Sequence, residues 1–480
     1  MGFTEKYVKP DSAAWVNATV YTTTPVSQVL GSDTNNYYCI LAHTSETGVK
    51  GRPIDGTNWA TYWAVADGTT EQRAWNITQM AIAVPAAGTR VNILTGTYTK
   101  GVWTMPTGTV VDPIFFRGYN SAIGDLDSQD ALSSTANFPD LTITGLFTFG
   151  PGCFFQNLDI TGALASYLIG SGLSDDNGFI NCRVINTQND AAASCVQGDN
   201  DLTLIRCDIS CTGAAHGVLV DADLGARIAY CRFKMTATAD CINVQTSAVF
   251  IGCTFHGNGN ASSIGIDVDA MPAGENPIID RCTFYNLGTA LRLPNVVAVS
   301  AILLTNNHVT DCAKYIDNLY VTDEDVLFEL NNRTRDNITP RTGVFQGVLA
   351  GEVITDTGGA ETDYVNAGAG DFNLISGAPG INAATLQGDI GAWQRIPDFP
   401  TAANTWHNDT TDGVTGSMSG LDVPKTGGTG STLLAEDVAT GVTLDPTGDN
   451  VTGTASGGSW TPYYGYRGRL RYFGYDLAYS

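Results

Sequence analysis

Positive charge is scarce in this sequence: Lys and Arg number 24 against 48 Asp and Glu over 480 residues, a formal net charge of −24. A surface of that sign repels phosphate backbones and anionic headgroups, which argues against nucleic-acid and membrane-surface roles. Long apolar runs are lacking too. No stretch approaches the ~20 residues that span a bilayer, and Met1–Val16 has no apolar core of a secretory signal. The Met-Gly start has Lys6 where a myristoylation signal would carry Ser or Thr. A soluble protein made in the cytosol, with no nucleic-acid or membrane partner, is expected. Histidine is rare, and His43, His216, His256, His308 and His407 show no metal-ligand spacing. No Gly-rich phosphate loop or nucleophile elbow occurs, so neither cofactor nor metal is expected.

What the chain does contain is apolar content of 43% with 15% charged residues, the balance of a folded protein. Its 54 glycines predict many short strands joined by tight turns, an all-β chain. Eleven cysteines are an odd number, and their spacing follows a structural period, so they read as reduced thiols and not as a disulfide framework.

That period sets the fold class. A Cys-x-aromatic or β-branched triplet recurs at Cys182-Arg183-Val184, Cys207-Asp208-Ile209, Cys231-Arg232-Phe233, Cys253-Thr254-Phe255 and Cys282-Thr283-Phe284, in steps of 25, 24, 22 and 29 residues. Leu158-Asp159-Ile160 and Asn307-His308-Val309 extend it to seven rungs. A second short strand follows about ten residues later, at Val218-Leu219-Val220, Ile242-Asn243-Val244, Ile266-Asp267-Val268 and Leu291-Arg292-Leu293. Alternation points Leu219, Asn243, Asp267 and Arg292 outward and their neighbours inward. A period near 24 with period-2 alternation inside it predicts a β-solenoid with two strands per rung. Trp75–Val84 has helical apolar spacing suited to an N-terminal cap, and Val91–Tyr98 would be the first strand.

A capping helix, the strand "VNILTGTY" and Asn- and Cys-punctuated rungs resemble the opening of pectate-lyase-like right-handed parallel β-helices. "DFNLISGAPGINA" at Asp371–Ala383, followed by "DIGAW" at Asp389–Trp393, is similar to their closing coils. The resemblance implies a single-stranded parallel β-helix over residues 67–396.

Residues 1–66 read as a small β module of their own. The order "YYCILAHTSE", "TGVKGRPIDGT" and "NWATYW" resembles the chitin-binding modules of bacterial chitinases, and similar segments occur in phage virion proteins. Trp59, Tyr62 and Trp63 are the candidates for stacking on sugar rings. In so small a module, use of these aromatics in the core or at an interface is the favoured alternative. Residues 397–412 read as a linker and 413–480 as a C-terminal β-rich domain. Its last eighteen residues carry a formal +2 on an acidic chain, with Arg467, Arg469, Arg471, Tyr472 and Tyr475 available for docking on an acidic partner. A terminal hairpin with a solvated arginine face is the alternative.

Asp199, Asp201, Asp221, Asp223, Asp267 and Asp269 follow or sit in the second strand of their rungs, close enough to cluster. They are candidates for paired-carboxylate catalysis or for a calcium site. Asp is also an ordinary turn residue. The resemblances imply a non-enzymatic phage virion protein, a spike, fibre or capsid decoration, that trimerises, contacts other virion proteins and either meets host-surface glycans or stabilises the particle. A tailspike polysaccharide depolymerase using surface carboxylates and a bacterial surface adhesin are the alternatives.

Overall fold

The computed structural model describes residues 3–46, 52–109, 111–171, 177–189, 193–198, 202–212, 216–220, 226–235, 240–244, 248–268, 277–293, 301–318, 326–335, 339–342, 347–350, 353–356, 364–366, 371–374, 442–444 and 451–453. Residues 1–394 form one compact unit and residues 395–480 another. The linker at 397–412 and the Arg- and Tyr-rich tail lie outside the described residues. In the second unit, Val442–Leu444 pairs antiparallel with Val451–Gly453.

The first unit is a right-handed parallel β-helix built from three sheets of 12, 11 and 10 strands, in which each coil adds one strand to each sheet. The second sheet holds the Cys-tagged triplets. Asp159, Arg183, Asp208, Arg232, Thr254, Thr283 and His308 are successive register partners, so all seven rungs stack as the spacing predicts. The third sheet holds the strands ten residues later, with Val218, Ile242, Ile266 and Leu291 in register. The expected two strands per rung are corrected to three. The first sheet runs through strands such as Asn177–Ile180, Leu202–Ile205 and Ala226–Ala229, just ahead of each Cys.

A single left-handed residue turns the chain from the first sheet to the second in every one of these coils. Asn157, Asn181, Arg206, Tyr230, Arg281, Asn306 and Asn331 have φ between 53° and 56°, and Gly252 fills the same place at 63°. Asn tolerates this conformation because its short polar side chain bonds locally. The next residue points inward: Leu158, Cys182, Cys207, Cys231, Cys253 and Cys282 are fully buried. Each of these thiols donates to the carbonyl two residues back, at 3.3–3.5 Å. All eleven cysteines are free and buried. Beside them Phe233, Phe255 and Phe284 stack in parallel, with centroids 5.2 and 4.8 Å apart.

The N-terminal end is closed as expected. The helix Ile77–Ala83 carries a capping box in which Asn76 Oδ1 accepts from the Gln79 N–H at 2.9 Å and Gln79 Oε1 accepts from the Asn76 N–H at 3.1 Å. The expected strand Val91–Tyr98 is two strands, Thr89–Leu94 and Thr97–Lys100, divided where Gly96 adopts φ 145°. Thr4–Val8 adds in parallel to Thr89–Leu94, so the start of the aromatic module supplies the edge strand of the solenoid.

The other end differs from expectation. Of the stretch expected to form closing coils, only Asp371–Leu374 lies among the described residues, and it pairs antiparallel with Tyr364–Asn366; the remainder, including Asp389–Trp393, lies outside them. The hairpin lies on the outer face of the second sheet, with Phe372 against His256 and Tyr285 at 5.8 and 5.5 Å. Tyr364 O–H pairs with His308 Nδ1. Aromatics at outward positions in adjacent coils make a surface that an apolar hairpin can cover.

Candidate functional site

The outward columns are where a solenoid displays chemistry, because its inward positions are packed. In the first outward column of the second sheet, Asp140, Asp159, Arg183, Asp208 and Arg232 follow one another coil by coil. Arg183 grips Asp159 with both Nε and Nη2, the former at 2.7 Å. Arg232 grips Asp208 the same way, at 2.8 and 2.6 Å. These are bidentate, charge-assisted pairs between coils. Thr135 also donates to Asp159, from a long insertion at residues 120–139.

Of the acidic candidates, Asp267 alone lies among the described residues; Asp199, Asp201, Asp221, Asp223 and Asp269 lie outside them. Asp267 sits outward in the third sheet, yet it is only 2% exposed. Arg292 donates from Nε to its Oδ1 at 2.7 Å and from Nη2 to its Oδ2, while Asn243 Nδ2 reaches Oδ2 at 3.4 Å. A carboxylate held on both oxygens by a guanidinium fork is a poor base and a poor calcium ligand, since either role would displace the fork. Among the described residues no three His, Cys, Asp or Glu side chains gather as metal ligands would.

The aromatic candidates are not one platform. Trp63 is 1% exposed and packs edge-on to Tyr21 at 4.9 Å in a core that also holds Val29, Tyr37 and Cys39. It presents no face to a sugar, which corrects its assignment as a stacking residue. The module has little else to bury, so its largest ring goes inside. Trp59 and Tyr62 begin and end a four-residue helix and are half-buried against that core, Trp59 edge-on to Tyr37 at 5.5 Å. The docking candidates Arg467, Arg469, Arg471, Tyr472 and Tyr475 lie outside the described residues.

Two features were not read from the sequence. Asp140 is the register partner of Asp159, and it lies outside the Arg183 fork. Burial, then the Asp159 charge, raises its pKa against the pull of Arg183. The echo of Asp140-Leu141-Thr142 in Asp159-Ile160-Thr161 was a signal for this pair, hidden by a step of 19 residues where others are near 24. The second feature is His256, enclosed between Tyr285 and Phe372 and pushed down to about 4 by burial, with Lys234 and Arg232 adding to it.

No protein-family model matches this sequence, and no curated protein matches it. Among solved structures, the chain is similar to a pectate lyase at 15% identity, over 68% of this chain and 93% of that one, with a TM-score of 0.48. An alginate lyase matches at 11% identity over 59% of this chain and 52% of its own, with a TM-score of 0.33. A pectin methylesterase from Aspergillus niger matches at 14% identity over 66% and 91%, with a TM-score of 0.29.

Proposed function

We propose that this chain is a non-enzymatic, rod-forming structural protein of a phage particle, a spike, fibre or capsid decoration that meets host-surface glycans. The observation that carries this reading is the use made of outward charge. Asp159–Arg183, Asp208–Arg232 and Asp267–Arg292 each join one coil to the next. A solenoid contacts only neighbouring repeats, so locks between coils raise the stiffness of the rod directly. The N-terminal segment's resemblance to modules found in virion proteins supplies the setting. Trimerisation follows the same resemblance, and light scattering should give three times the 50.7 kDa of one chain.

The test is location. Antibody-gold labelling of purified particles, with mass spectrometry of the same preparation, should find the protein at a fixed copy number. Its absence from particles would overturn the reading.

Asp140 supports a second reading, a polysaccharide hydrolase. Its carboxyl, raised above its ordinary value by burial and then by Asp159 one coil away, lies outside the Arg183 fork and is the kind of general acid that glycoside hydrolysis uses. Release of reducing ends from host capsule, abolished in Asp140→Asn, would establish it. No release from any host polysaccharide would dismiss it.

A further inference from the structure

The outer face of the first sheet differs in kind from those of the other two. Asp159, Asp208 and Asp267 with their arginines mark the second and third, whereas Phe115, Phe154, Val249, Ile278 and Leu303 share one outward column of the first. Where that column turns to Thr203 and Arg227, the column two residues on carries Ile205 and Ala229, and it runs on through Ile251 to Leu330. Leu303 and Leu330 are 37% and 41% exposed, and the others are half-buried. Phe115 and Phe154 stack with their centroids 5.3 Å apart. A sheet face turned to water is ordinarily polar, and a contiguous apolar one marks a contact with another protein.

Length, charge and area select a second copy of this chain as the partner. From Ile114–Tyr119 to Val326–Leu330 the face runs through nine strands in register, which at ~4.8 Å per step is about 38 Å, a length that another rod matches and a small globular partner covers only in part. On a chain of net charge −24, the only carboxylate among the described outward residues of these strands is Asp280. It is 6% exposed and accepts from Thr305 Oγ1 at 2.6 Å and from Asn306 Nδ2 at 2.8 Å. Copies that meet here avoid the carboxylate columns that the second and third sheets would set against each other. A strip of this length and two residues wide covers roughly 400 Å², about half of what each partner brings to a standard interface, and so serves as its apolar core. Arg117 and Gln156, both bonded to Asp127 of the insertion, begin the polar rim around it. We propose that copies of this chain associate side by side through the outer face of the first sheet, with Ile205, Ile251, Ile278 and Leu303 at the centre of the contact. The inference rests on the trimerisation part of the proposed function and gives it a surface.

Light scattering of the full chain, joined to hydroxyl-radical footprinting of the native protein, tests it. The mass should be a multiple of 50.7 kDa, and Phe115, Phe154 and Leu303 should be protected in the assembly while Tyr167 of the third sheet is oxidised. Leu303→Glu with Leu330→Glu changes two side chains that a single chain already exposes, so the circular dichroism should stay native. The concentration needed for assembly should rise roughly tenfold or more. Ser210→Glu, outward on the second sheet, should leave it unchanged. A native chain of 50.7 kDa at every concentration overturns the proposal and trimerisation with it, and protection of the face within that single chain would give it to another segment of the same protein. An assembly in which Leu303 is oxidised as readily as Tyr167 overturns this face on the native protein, even if the variant fails to fold, and leaves trimerisation standing.

Discussion

Asn307 takes in its coil the inward place that Cys282 takes in the coil before, and its Oδ1 accepts from the Cys282 N–H at 2.9 Å. The amide also donates to the Ile279 carbonyl at 2.9 Å and to Asn332 Oδ1 at 3.0 Å. A stack of thiols thus becomes a stack of amides without a break in register. Leu158 occupies the same place earlier in the helix, so a leucine there is sterically acceptable. Asn307→Leu should therefore lose polar satisfaction more than packing. With several buried backbone and amide groups left without partners, a loss of about 2–4 kcal/mol is expected in urea unfolding. A loss below 0.5 kcal/mol would mean that the amide stack is incidental.

The thiols themselves should be inert. Burial raises the Cys182, Cys231 and Cys282 thiols far above their ordinary range, which removes the reactive thiolate. Native protein treated with iodoacetamide at pH 8 should carry no label at Cys182, Cys207, Cys231, Cys253 or Cys282, and unfolded protein should be labelled at all of them. A disulfide between any two of the five would contradict the ladder.

Asn243 and Val244 are neighbours on opposite faces of one strand, and both are buried. Val244→Asp places a carboxylate inside the core, with an expected loss of several kcal/mol. Outward position alone would make Asn243→Asp mild. Instead it sets a second carboxylate against Asp267, where the Asn243 amide now donates. It should cost about 1–3 kcal/mol, recovered in part by Asp267→Asn in the same chain. Thermal unfolding of the two single variants and the double variant separates these effects.

Arg292→Ala should leave Asp267 buried and uncompensated, at about 3–5 kcal/mol. Asp267→Asn with Arg292→Gln should recover most of that loss, because the pair contributes by satisfying itself and not by its charge. If Arg292→Ala proved neutral, the coil-to-coil locks would not stiffen the rod.

The seven-rung register was legible because its tag is chemical: a small inward thiol, then an aromatic or β-branched residue two positions on. The first sheet was not, because the left-handed residue that separates it from the second has no common side chain. Asn181, Arg206, Tyr230 and Gly252 share a backbone angle and nothing else. Trp63 misled because an aromatic that packs and an aromatic that stacks on sugar have the same sequence pattern.

His256 gives the fold a pH dependence whose sign is fixed. Its pKa falls from 6.5 to about 4 on folding, because burial among Tyr285 and Phe372 disfavours the charged ring and Lys234 and Arg232 repel it. Below pH 6.5 the unfolded chain takes up a proton that the folded chain refuses, so acid favours unfolding. The contribution is fully present above about pH 6.5, declines as pH falls through the window to about 4, and then levels off. A shift of that size corresponds to roughly 3–4 kcal/mol across the window. The Tyr364–Leu374 hairpin covers this ring, so it should loosen first, with hydrogen exchange at Phe372 rising before that of the coils. His256→Phe keeps an aromatic against Phe372 and Tyr285 but cannot titrate. Its stability should therefore follow the native protein above pH 6.5 and lie above it at pH 4.5. If the two profiles ran parallel down to pH 4, protonation of His256 would not be what acid does to this fold.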